Sequence, residues 1–291
     1  MQRKSVIVAA KRTPVGAFQG HLSSISSPDL AAVAIKHILG ETRIQPDQID
    51  EIILGNVLTA GQGQAPARQA ALNSGCPNSV EALTINKMCG SGLKAVMLAD
   101  QAIRCGDADT VLAGGMESMS NAPYLLKNAR GGQRLGHGTM IDSMIHDGLW
   151  DVYSNKHMGT CAEMLAADRH YSREAQDAYA IESYKRAQDA QAKGVFKSEI
   201  VPVEVPQRKG DPVIIEEDEE PGKAQFDKIP NLRPVFEKEG TITAANASKL
   251  NDGAAALLLT SEDQAKELDL EPLAVIVAQA SAAHEPEWFT T

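Results

Sequence analysis

The sequence predicts a layered α/β protein, and two observations carry that prediction. Short apolar segments rich in β-branched residues alternate with longer segments of helical periodicity, a pattern typical of parallel strands joined by helical crossovers. Hydrophobic residues make up 43% of the 291 residues, but aromatic residues only 4%. Small aliphatic side chains must therefore fill most of the core, and side chains of this size allow helices to lie close to a sheet.

The first 119 residues show this alternation most clearly. Residues 5–10 predict a buried strand because they are short, apolar and β-branched. Ser26, Ser27 and Asp29 offer caps for the next helix. The helix at residues 90–105 has a broad apolar face formed by Leu93, Val96, Met97, Ala99, Ala102 and Ile103. The other predicted elements are the helices 27–39 and 66–74 and the strands 49–57, 82–85 and 110–113, the last ending at Gly114-Gly115.

The character of the sequence changes near residue 120. Residues 121–148 are rich in glycine, basic residues and methionine and have no clear period. Two helices follow, at residues 160–170 and 173–193, and Ser172 is a candidate N-cap for the second. The proline-rich, charged segment 201–240 includes an acidic run at 216–220 that we interpret as a solvated loop. Strands return at 252–260 and 273–278, so a loop-rich domain is predicted to interrupt the α/β domain.

Composition excludes several classes of protein. A net charge of −10 argues against nucleic acid or an anionic membrane as the main partner. No apolar run approaches the about 20 residues of a membrane helix, and the short apolar start predicts a strand rather than a signal peptide. We expect free thiols, a cytoplasmic location and no bound metal, because no Cys-x-x-Cys pair or metal-ligand spacing occurs among the cysteines, which are Cys76, Cys89, Cys105 and Cys161.

The most informative stretch surrounds Cys89. Residues 84–96 predict a strand, a sharp glycine-containing turn and a helix that leaves it. A cysteine in such a turn lies near the positive end of the helix dipole, which favours the thiolate over the thiol. Gly90 and Gly92 carry no side chain that would block a substrate, as in a nucleophile elbow with sulfur in place of oxygen. A cysteine buried under a helix would give the same local pattern, so the turn alone leaves both interpretations open.

The wider sequence resembles one enzyme family at several places in the same order. Asn86-Lys-Met-Cys-Gly-Ser-Gly-Leu-Lys-Ala95 is similar to the nucleophile motif of the thiolases. Further stretches that resemble this family are Arg12-Thr-Pro-Val-Gly-Ala-Phe18, Gly55-Asn-Val57, Gly114-Gly-Met-Glu-Ser-Met-Ser120, His157-Met-Gly159 with Ala162-Glu163, Leu232-Arg-Pro234, Thr243-Ala-Ala-Asn-Ala-Ser248 and Leu250-Asn-Asp-Gly-Ala-Ala255. The similarity runs from residue 5 to the end and implies a thiolase-like layered fold, of which this chain is the N-terminal half with an inserted loop domain.

The resemblance implies roles for individual residues. Cys89 is similar to the cysteine that takes the acyl group from acyl-CoA as a thioester, with its own backbone N–H holding the oxyanion. Glu117 resembles a structural network residue, and a general base is the alternative. His157 and Met158 resemble the pair that lines the pantetheine channel, and Ser248 the serine that contacts the pantetheine. Leu149, Phe236, Ala244 and Leu250 match the apolar walls of that channel, where plain packing is the alternative. Coenzyme A thioesters are implied as substrates, with no cofactor beyond them.

The resemblance also extends to assembly and to the nucleotide end of coenzyme A. Residues 124–145 resemble the loop through which thiolase dimers pair into tetramers, which implies a homodimer or homotetramer. The basic residues of this loop are alternative receivers of the coenzyme A phosphates. Lys223 stands where many relatives carry an arginine that stacks on the adenine, and a lysine keeps the charge without the planar stacking group.

The resemblance divides the chain into three parts. Residues 1–119 and 250–270 match the N-terminal thiolase domain, residues 120–249 the inserted loop domain, and residues 271–291 the start of a truncated C-terminal domain. The second half of a thiolase supplies an Asn-Glu-Ala-Phe asparagine, a Gly-His-Pro histidine and a Cys-x-Gly-Gly-Gly cysteine, and none of these motifs occurs here. We therefore expect the chain to be inactive in condensation by itself.

The implied activity is the condensation of two acetyl-CoA to acetoacetyl-CoA and free CoA, with thiolysis as its reverse. One alternative is a degradative thiolase that acts on longer 3-ketoacyl-CoA substrates. Another is a non-catalytic module that binds coenzyme A or serves in assembly. A cysteine protease would need a histidine and an asparagine or aspartate in surroundings that this sequence does not show.

Overall fold

A mixed sheet of seven strands organises the larger part of the chain in the computed structural model, which describes residues 3–42 and 44–291. The strands, in chain order, are β1 (Ser5–Arg12), β2 (Gly16–Ala17), β3 (Glu51–Gly55), β4 (Glu81–Ile85), β5 (Thr110–Ser118), β6 (Tyr124–Leu125), β7 (Ile141–Asp142), β8 (Trp150–Asp151), β9 (Lys156–His157), β10 (Val203–Val205), β11 (Val213–Ile215), β12 (Asn251–Ser261) and β13 (Ala274–Val275). The α-helices are α1 (Ser27–Thr42), α2 (Pro66–Asn73), α3 (Ser91–Cys105), α4 (Met158–Asp168), α5 (Arg173–Ala192) and α6 (Glu262–Glu267).

Two compact units share the chain. The first, called the sheet unit here, comprises Met1–Asn121, Phe196–Asp218 and Asn251–Ala280. The second, called the helical unit, comprises Ala122–Val195, Glu219–Leu250 and Ser281–Thr291. Within the described residues, no helix is long and apolar enough to cross a bilayer.

The strands of the sheet follow the order β13-β1-β12-β5-β3-β4, and β2 pairs with the start of β12. β3 pairs in parallel with β4 and β5, as crossovers through α2 and α3 predict. The expectation of parallel pairing is wrong for the other half, because β12 is antiparallel to both β1 and β5. Asp252 lies opposite Ser118. The chain therefore leaves the sheet after β5 and returns at the same end, which makes the returning strand antiparallel.

Helices cover both faces of the sheet, as the α/β prediction requires. On one face, α1 and α2 pack against alternate strand residues such as Ile52 and Leu54. On the other face, α3 packs against the intervening residues, including Ile53. The buried stripe of α3 contains Ala95, Ala99 and Ile103, whereas Leu93, predicted on the apolar face, is 71% exposed. Alanines four residues apart keep the helix close to the sheet.

Gly114 and Gly115 lie inside β5, which continues to Ser118 instead of ending at residue 113. A Cβ on Gly114 would come within 2.0 Å of the carbonyl oxygen of Ala255 on β12. Glycine therefore marks a close approach of two backbones here and does not mark a turn. At the other edge, the predicted strand 273–278 shortens to β13, and Val277 beyond it is 87% exposed.

Residues 201–240, for which no strand was predicted, contain a hairpin. β10 and β11 pair in antiparallel fashion, and Val203 and Val205 join the main core of the sheet unit. The alternating Val-Glu-Val pattern of β10 is only three residues long, which is too short for periodicity to reveal a strand.

The acidic run 216–220 is solvated only at its start. Arg12 donates to Asp218 from Nη1 at 2.6 Å and from Nη2 at 3.0 Å, and to Glu199 from Nε at 2.6 Å. Burial by itself lowers the pKa of Arg12, but the hydrogen bonds and charges of Asp218 and Glu199 outweigh that effect and raise it overall. In the helical unit, Glu219 pairs with Lys223 at 2.7 Å and Glu220 with Lys249 at 3.6 Å. The interpretation as a solvated loop is therefore wrong for residues 218–220.

The helices α4 and α5 both lie in the helical unit. The predicted N-cap of α5 is confirmed, because Ser172 Oγ accepts a hydrogen bond from the backbone N–H of Ala175 at 3.1 Å. A backbone hydrogen bond and the Ser172 hydroxyl lower the pKa of Glu174 in the first turn. This agrees with the preference of helix N-termini for acids.

Candidate functional site

Cys89 lies on the exposed turn between β4 and α3. Met88 has a φ of +49°, in the left-handed region that residues other than glycine rarely adopt. Two polar side chains hold this conformation. Asn86 Oδ1 accepts from the Met88 N–H at 2.9 Å, while Ser91 Oγ accepts from the Lys87 N–H at 2.8 Å and donates to the Met88 carbonyl at 2.5 Å. The turn thus holds Cys89 immediately before the N-terminus of α3.

The start of α3 lies very close to the sheet at this turn. A Cβ on Gly55 of β3 would come within 2.5 Å of the Ser91 Cβ, and a Cβ on Gly115 within 3.3 Å of the Gly92 Cα. Any larger residue at position 55 would push the helix away from the sheet. Motifs that stand far apart in the sequence, at residues 55–57, 86–95 and 114–120, therefore build one local structure.

Glu117 connects two of these motifs. Its Oε1 accepts from Asn56 Nδ2 at 2.7 Å and from the Leu58 N–H at 3.1 Å, and its Oε2 accepts from the Val57 N–H at 2.8 Å. Burial raises the pKa of Glu117, although these hydrogen bonds oppose the shift. The Asn56 N–H in turn donates to the carbonyl of Ile85, at the end of the strand that leads to Cys89. These contacts are those of a structural network residue.

All four cysteines lie in the described part of the chain, and all four are free. Cys76 and Cys161 are buried, and burial raises the pKa of each thiol. Cys89 and Cys105 are exposed, and they stand just before the start and at the last residue of the same helix, α3. Two of the four thiols are therefore buried and two are exposed. The exposed two, Cys89 and Cys105, lie at opposite ends of α3.

His157 lies in the helical unit, at the junction of β9 and α4. Its Nδ1 accepts a hydrogen bond from the Gly159 N–H at 3.0 Å, which requires an unprotonated Nδ1. Burial lowers the pKa of His157 and favours this neutral form. The ring of Phe236 stacks on the imidazole with the centroids 4.9 Å apart, and Trp150 meets it edge-on at 6.3 Å. His157 is therefore fixed in one orientation beside an aromatic surface.

The remaining predicted binding residues lie at several places in the helical unit. Met158 begins α4, and Leu149 ends a single π-helical turn, Met144–Leu149. Ala244 and Ser248 are exposed on the segment 241–250, and Leu250 is partly buried at its end. The structure thus brings together Phe236 and His157, which Met158 follows in the chain. Lys223 lies apart from them in the chain, exposed and paired with Glu219.

Three residues that hold the segment 241–250 have no role that the sequence predicted, and they are Glu163, Asp177 and Asn246. Glu163 is buried on α4 between the buried residues Cys161 and Ala166. An acid on the buried side of an apolar helix is the signal that could have identified it, because a buried carboxylate needs hydrogen-bond donors from elsewhere.

Comparison with known proteins gives one consistent result. The family model described as "Thiolase, N-terminal domain" matches residues 5–263. An acetyl-CoA acetyltransferase of Allochromatium vinosum is 52% identical over 98% of this chain and 73% of its own length. A probable acetyl-CoA acyltransferase of Staphylococcus aureus is 52% identical over 97% of this chain and 72% of its own length. The crystal structure of the thiolase Acat5 from Ascaris suum in complex with coenzyme A superposes with a TM-score of 0.93 and 42% identity, over 99% of this chain and 73% of that one.

Proposed function

The chain belongs to the thiolase family, and from that premise we propose that it accepts acyl groups from coenzyme A thioesters on Cys89. The observation that carries the proposal is the turn itself. Cys89 is exposed before the N-terminus of α3, and Asn86 and Ser91 hold the strained residue beside it. A nucleophile of this kind splits one difficult transfer into two easier steps. The names of the relatives support acetyl-CoA as the substrate.

In the proposed first step, the Cys89 thiolate attacks the carbonyl carbon of acetyl-CoA. A carbon–sulfur bond to Cys89 forms, the bond to the coenzyme A sulfur breaks, and the departing thiolate takes up a proton. The Cys89 N–H donates to the carbonyl oxygen as negative charge develops on it. The dipole of α3 favours the same charge.

In the second step of a thiolase reaction, a second acetyl-CoA loses an α-proton and attacks the acyl-cysteine. The products are acetoacetyl-CoA and free Cys89, and thiolysis is the reverse. The histidine and cysteine motifs that supply the bases in this family do not occur among these 291 residues. We therefore propose acyl transfer to Cys89 for the chain as it stands, and condensation only together with such bases.

We propose that the helical unit binds the pantetheine arm of coenzyme A. Pockets for such ligands combine apolar surfaces with a few fixed polar groups. The stacked rings of His157 and Phe236 offer the apolar surface, and the exposed Ser248 hydroxyl offers a polar group. Lys223 contributes to phosphate binding only after its ion pair with Glu219 opens, which makes its contribution small.

We also propose that residues 124–145 mediate assembly into a homodimer or homotetramer. Several large apolar side chains of this segment are well exposed, namely Tyr124, Leu126, Leu135 and Met140. Surface apolar groups gathered in one segment are typical of an interaction site. A second copy of the chain is the partner that the family resemblance suggests.

Intact-mass spectrometry of the purified protein after incubation with acetyl-CoA tests the central proposal. We expect one acetyl group to be added to the protein, and Cys89→Ala to abolish the addition. Cys105→Ala is the matched control, since Cys105 is also exposed but lies at the other end of α3. An adduct that persists in Cys89→Ala would remove Cys89 as the acceptor.

The length of the acyl chain distinguishes the two substrate alternatives. The relatives are named as an acetyltransferase and as acyltransferases, and the second name covers longer chains. Adduct formation with acyl-CoA substrates of increasing length distinguishes acetyl transfer from the 3-ketoacyl-CoA alternative. Coenzyme A binding without any adduct would favour the non-catalytic alternative.

A further inference from the structure

A buried carboxylate on α4 holds the beginning of the segment 241–250. Glu163 is 5% exposed. Its Oε1 accepts from the backbone N–H of Ile242 at 2.8 Å, and its Oε2 accepts from the N–H and the hydroxyl of Thr241 at 2.9 and 3.0 Å. The carboxylate thus has donors on both oxygens, all from two adjacent residues of this segment.

A second carboxylate, on α5, holds the middle of the same segment. Asp177 is also 5% exposed, and Arg173 Nε donates to its Oδ2 at 2.6 Å. Its Oδ1 accepts from Asn246 Nδ2 at 3.0 Å. The same amide group donates to the Thr241 carbonyl at 3.1 Å, and Asn246 Oδ1 accepts from the Thr243 N–H at 2.7 Å. Asn246 thereby closes the segment into a compact turn attached to α5.

The network also reaches the aromatic pair. The Val235 N–H donates to the Ile242 carbonyl at 2.9 Å, directly beside the amide that Glu163 holds. Phe236 follows Val235 and stacks on His157. The segment 241–250 and the His157–Phe236 pair are therefore connected through Ile242. Both also contact α4, the segment through Glu163 and the aromatic pair through His157 at the N-terminus of the helix.

Hydrogen bonds fix the part of this segment that follows Thr243, whereas Ile242 before it is buried. Ala244 and Ser248 are exposed, so little hydrophobic contact holds the residues between Thr243 and Leu250. Burying a carboxylate costs free energy that charge-assisted hydrogen bonds must offset. Two buried carboxylates, Glu163 and Asp177, are bonded to this one segment. We infer that they place the segment accurately and do not serve stability alone.

We propose that Glu163 and Asp177 are positioning residues that hold residues 241–250 in the conformation that binds coenzyme A. The proposal rests on the proposed function, because it takes this segment as part of the pantetheine site. The acids act through the backbone of Thr241 and Ile242 and through the Asn246 amide. Loss of either acid is expected to weaken coenzyme A binding without changing the chemistry of Cys89.

Calorimetric titration of coenzyme A into the purified protein tests this inference, together with the rate of Cys89 acetylation at saturating acetyl-CoA. The variants are Glu163→Gln, Asp177→Asn and the milder Thr241→Val, which removes the hydroxyl that donates to Glu163 and accepts from Gln176 Nε2. Glu182→Gln is the matched control, because Glu182 lies on α5 with its side chain 55% exposed. We expect Kd to rise about tenfold or more in Glu163→Gln, as the loss of hydrogen bonds to a charged group implies, with the number of sites and the saturated rate unchanged.

The outcomes separate the two proposals. Wild-type protein that binds no coenzyme A would contradict the proposed function and this inference together. Wild-type binding with an unchanged Kd in Glu163→Gln and Asp177→Asn would overturn the inference alone. A loss of binding sites at unchanged Kd would also overturn it, because that result is expected of acids that only stabilise the fold. If Glu163→Gln does not fold, a severalfold rise in Kd for Thr241→Val supports the inference and an unchanged Kd contradicts it.

Discussion

The ring of Phe236 packs so closely against Gly159 that a Cβ at this position would come within 2.3 Å of the ring. Gly159 is in the first turn of α4, and its N–H also donates to His157 Nδ1. In Gly159→Ala the ring of Phe236 must shift, which disturbs its stacking on His157. We expect the free energy of unfolding to fall by about 1–3 kcal/mol, the usual cost of overpacking, and Kd for coenzyme A to rise. Thermal unfolding and calorimetric titration measure the two effects.

Gly40→Ala is the matched control for this substitution. Gly40 also lies in a helix, α1, but apart from its chain neighbours and its own helix backbone no atom of the described residues lies within 4 Å of the position that its Cβ would occupy. Alanine in a helix interior is favoured over glycine by about 0.5–1 kcal/mol, so Gly40→Ala should be neutral or stabilising. Equal effects of the two substitutions would show that the Phe236 contact is unimportant.

Cys89 is expected to react with iodoacetamide faster than the other three cysteines near neutral pH. Cys76 and Cys161 are buried, and burial raises the pKa of both thiols. Cys105 is exposed, but it stands at the C-terminal end of α3, where the helix dipole disfavours a negative charge. The dipole acts in opposite directions at the two ends of α3, so we expect the faster reaction at Cys89. Peptide mapping after brief labelling would contradict the prediction if Cys105 reacts first.

Glu117 should make the stability of the protein depend on pH. Burial raises its pKa in the folded state above the unfolded value, so folding favours the protonated form. Its stabilising contribution is therefore fully present below the unfolded pKa and is lost as pH rises through the folded pKa. We expect the free energy of unfolding of the wild type, relative to Glu117→Gln, to increase when the pH is lowered from 7 to about 4.5.

Urea unfolding of both proteins at several pH values measures this difference. Glu182→Gln provides the comparison for an exposed glutamate on α5. A difference between wild type and Glu117→Gln that stays constant across the range, or that changes in the opposite direction, would contradict the assignment of burial as the dominant influence on Glu117.

The sheet unit shows what local patterns reveal about this fold. Most strands and helices before residue 113 were predictable because each has its own apolar period, and at α1 the predicted cap Ser26 accepts a hydrogen bond from the Asp29 N–H. The short β2 and the extension of β5 to Ser118 were not predicted. The antiparallel β12 was not predictable in the same way, since its direction depends on where the chain re-enters the sheet after residue 250. Likewise, the acidic run could not be separated from solvent without Arg12, which stands 206 residues from Asp218.

The candidate site shows the same limit. The Cys89 turn is local, and its strand, glycines and helix are all visible within 13 residues of sequence. Glu163 contacts residues 78 and 79 positions away, so its role appears only once α4 and the segment 241–250 are placed together. Sequence motifs indicated that these residues belong to one family pattern, while the structure supplies the physical reason for their proximity.

Deleting residues 127–138 should change assembly and leave acyl transfer intact. The deleted residues include the fully exposed Leu135, and exposed Met140 and Tyr124 flank them. If this segment joins copies of the chain, its loss should reduce the oligomer by one step, from tetramer to dimer or from dimer to monomer. Light scattering measures the mass, and the acetylation of Cys89 serves as the control for folding. An unchanged mass would remove the support for an assembly role.

The last prediction concerns condensation by the 291-residue chain itself. Turnover needs one base to activate Cys89 and another to take the α-proton of the second acetyl-CoA, and the Gly-His-Pro and Cys-x-Gly-Gly-Gly motifs that supply them in thiolases are absent from these residues. Loss of a single general base typically costs about 100- to 10,000-fold in rate, and here two are involved. We expect the chain to take up one acetyl group on Cys89 and to form no measurable acetoacetyl-CoA, as judged by intact mass and by absorbance. Cys89→Ala is the control that should lose the adduct as well. A condensation rate within about tenfold of that of a complete thiolase would show that residues present in this chain replace both bases, because even one missing base should lower the rate further than that.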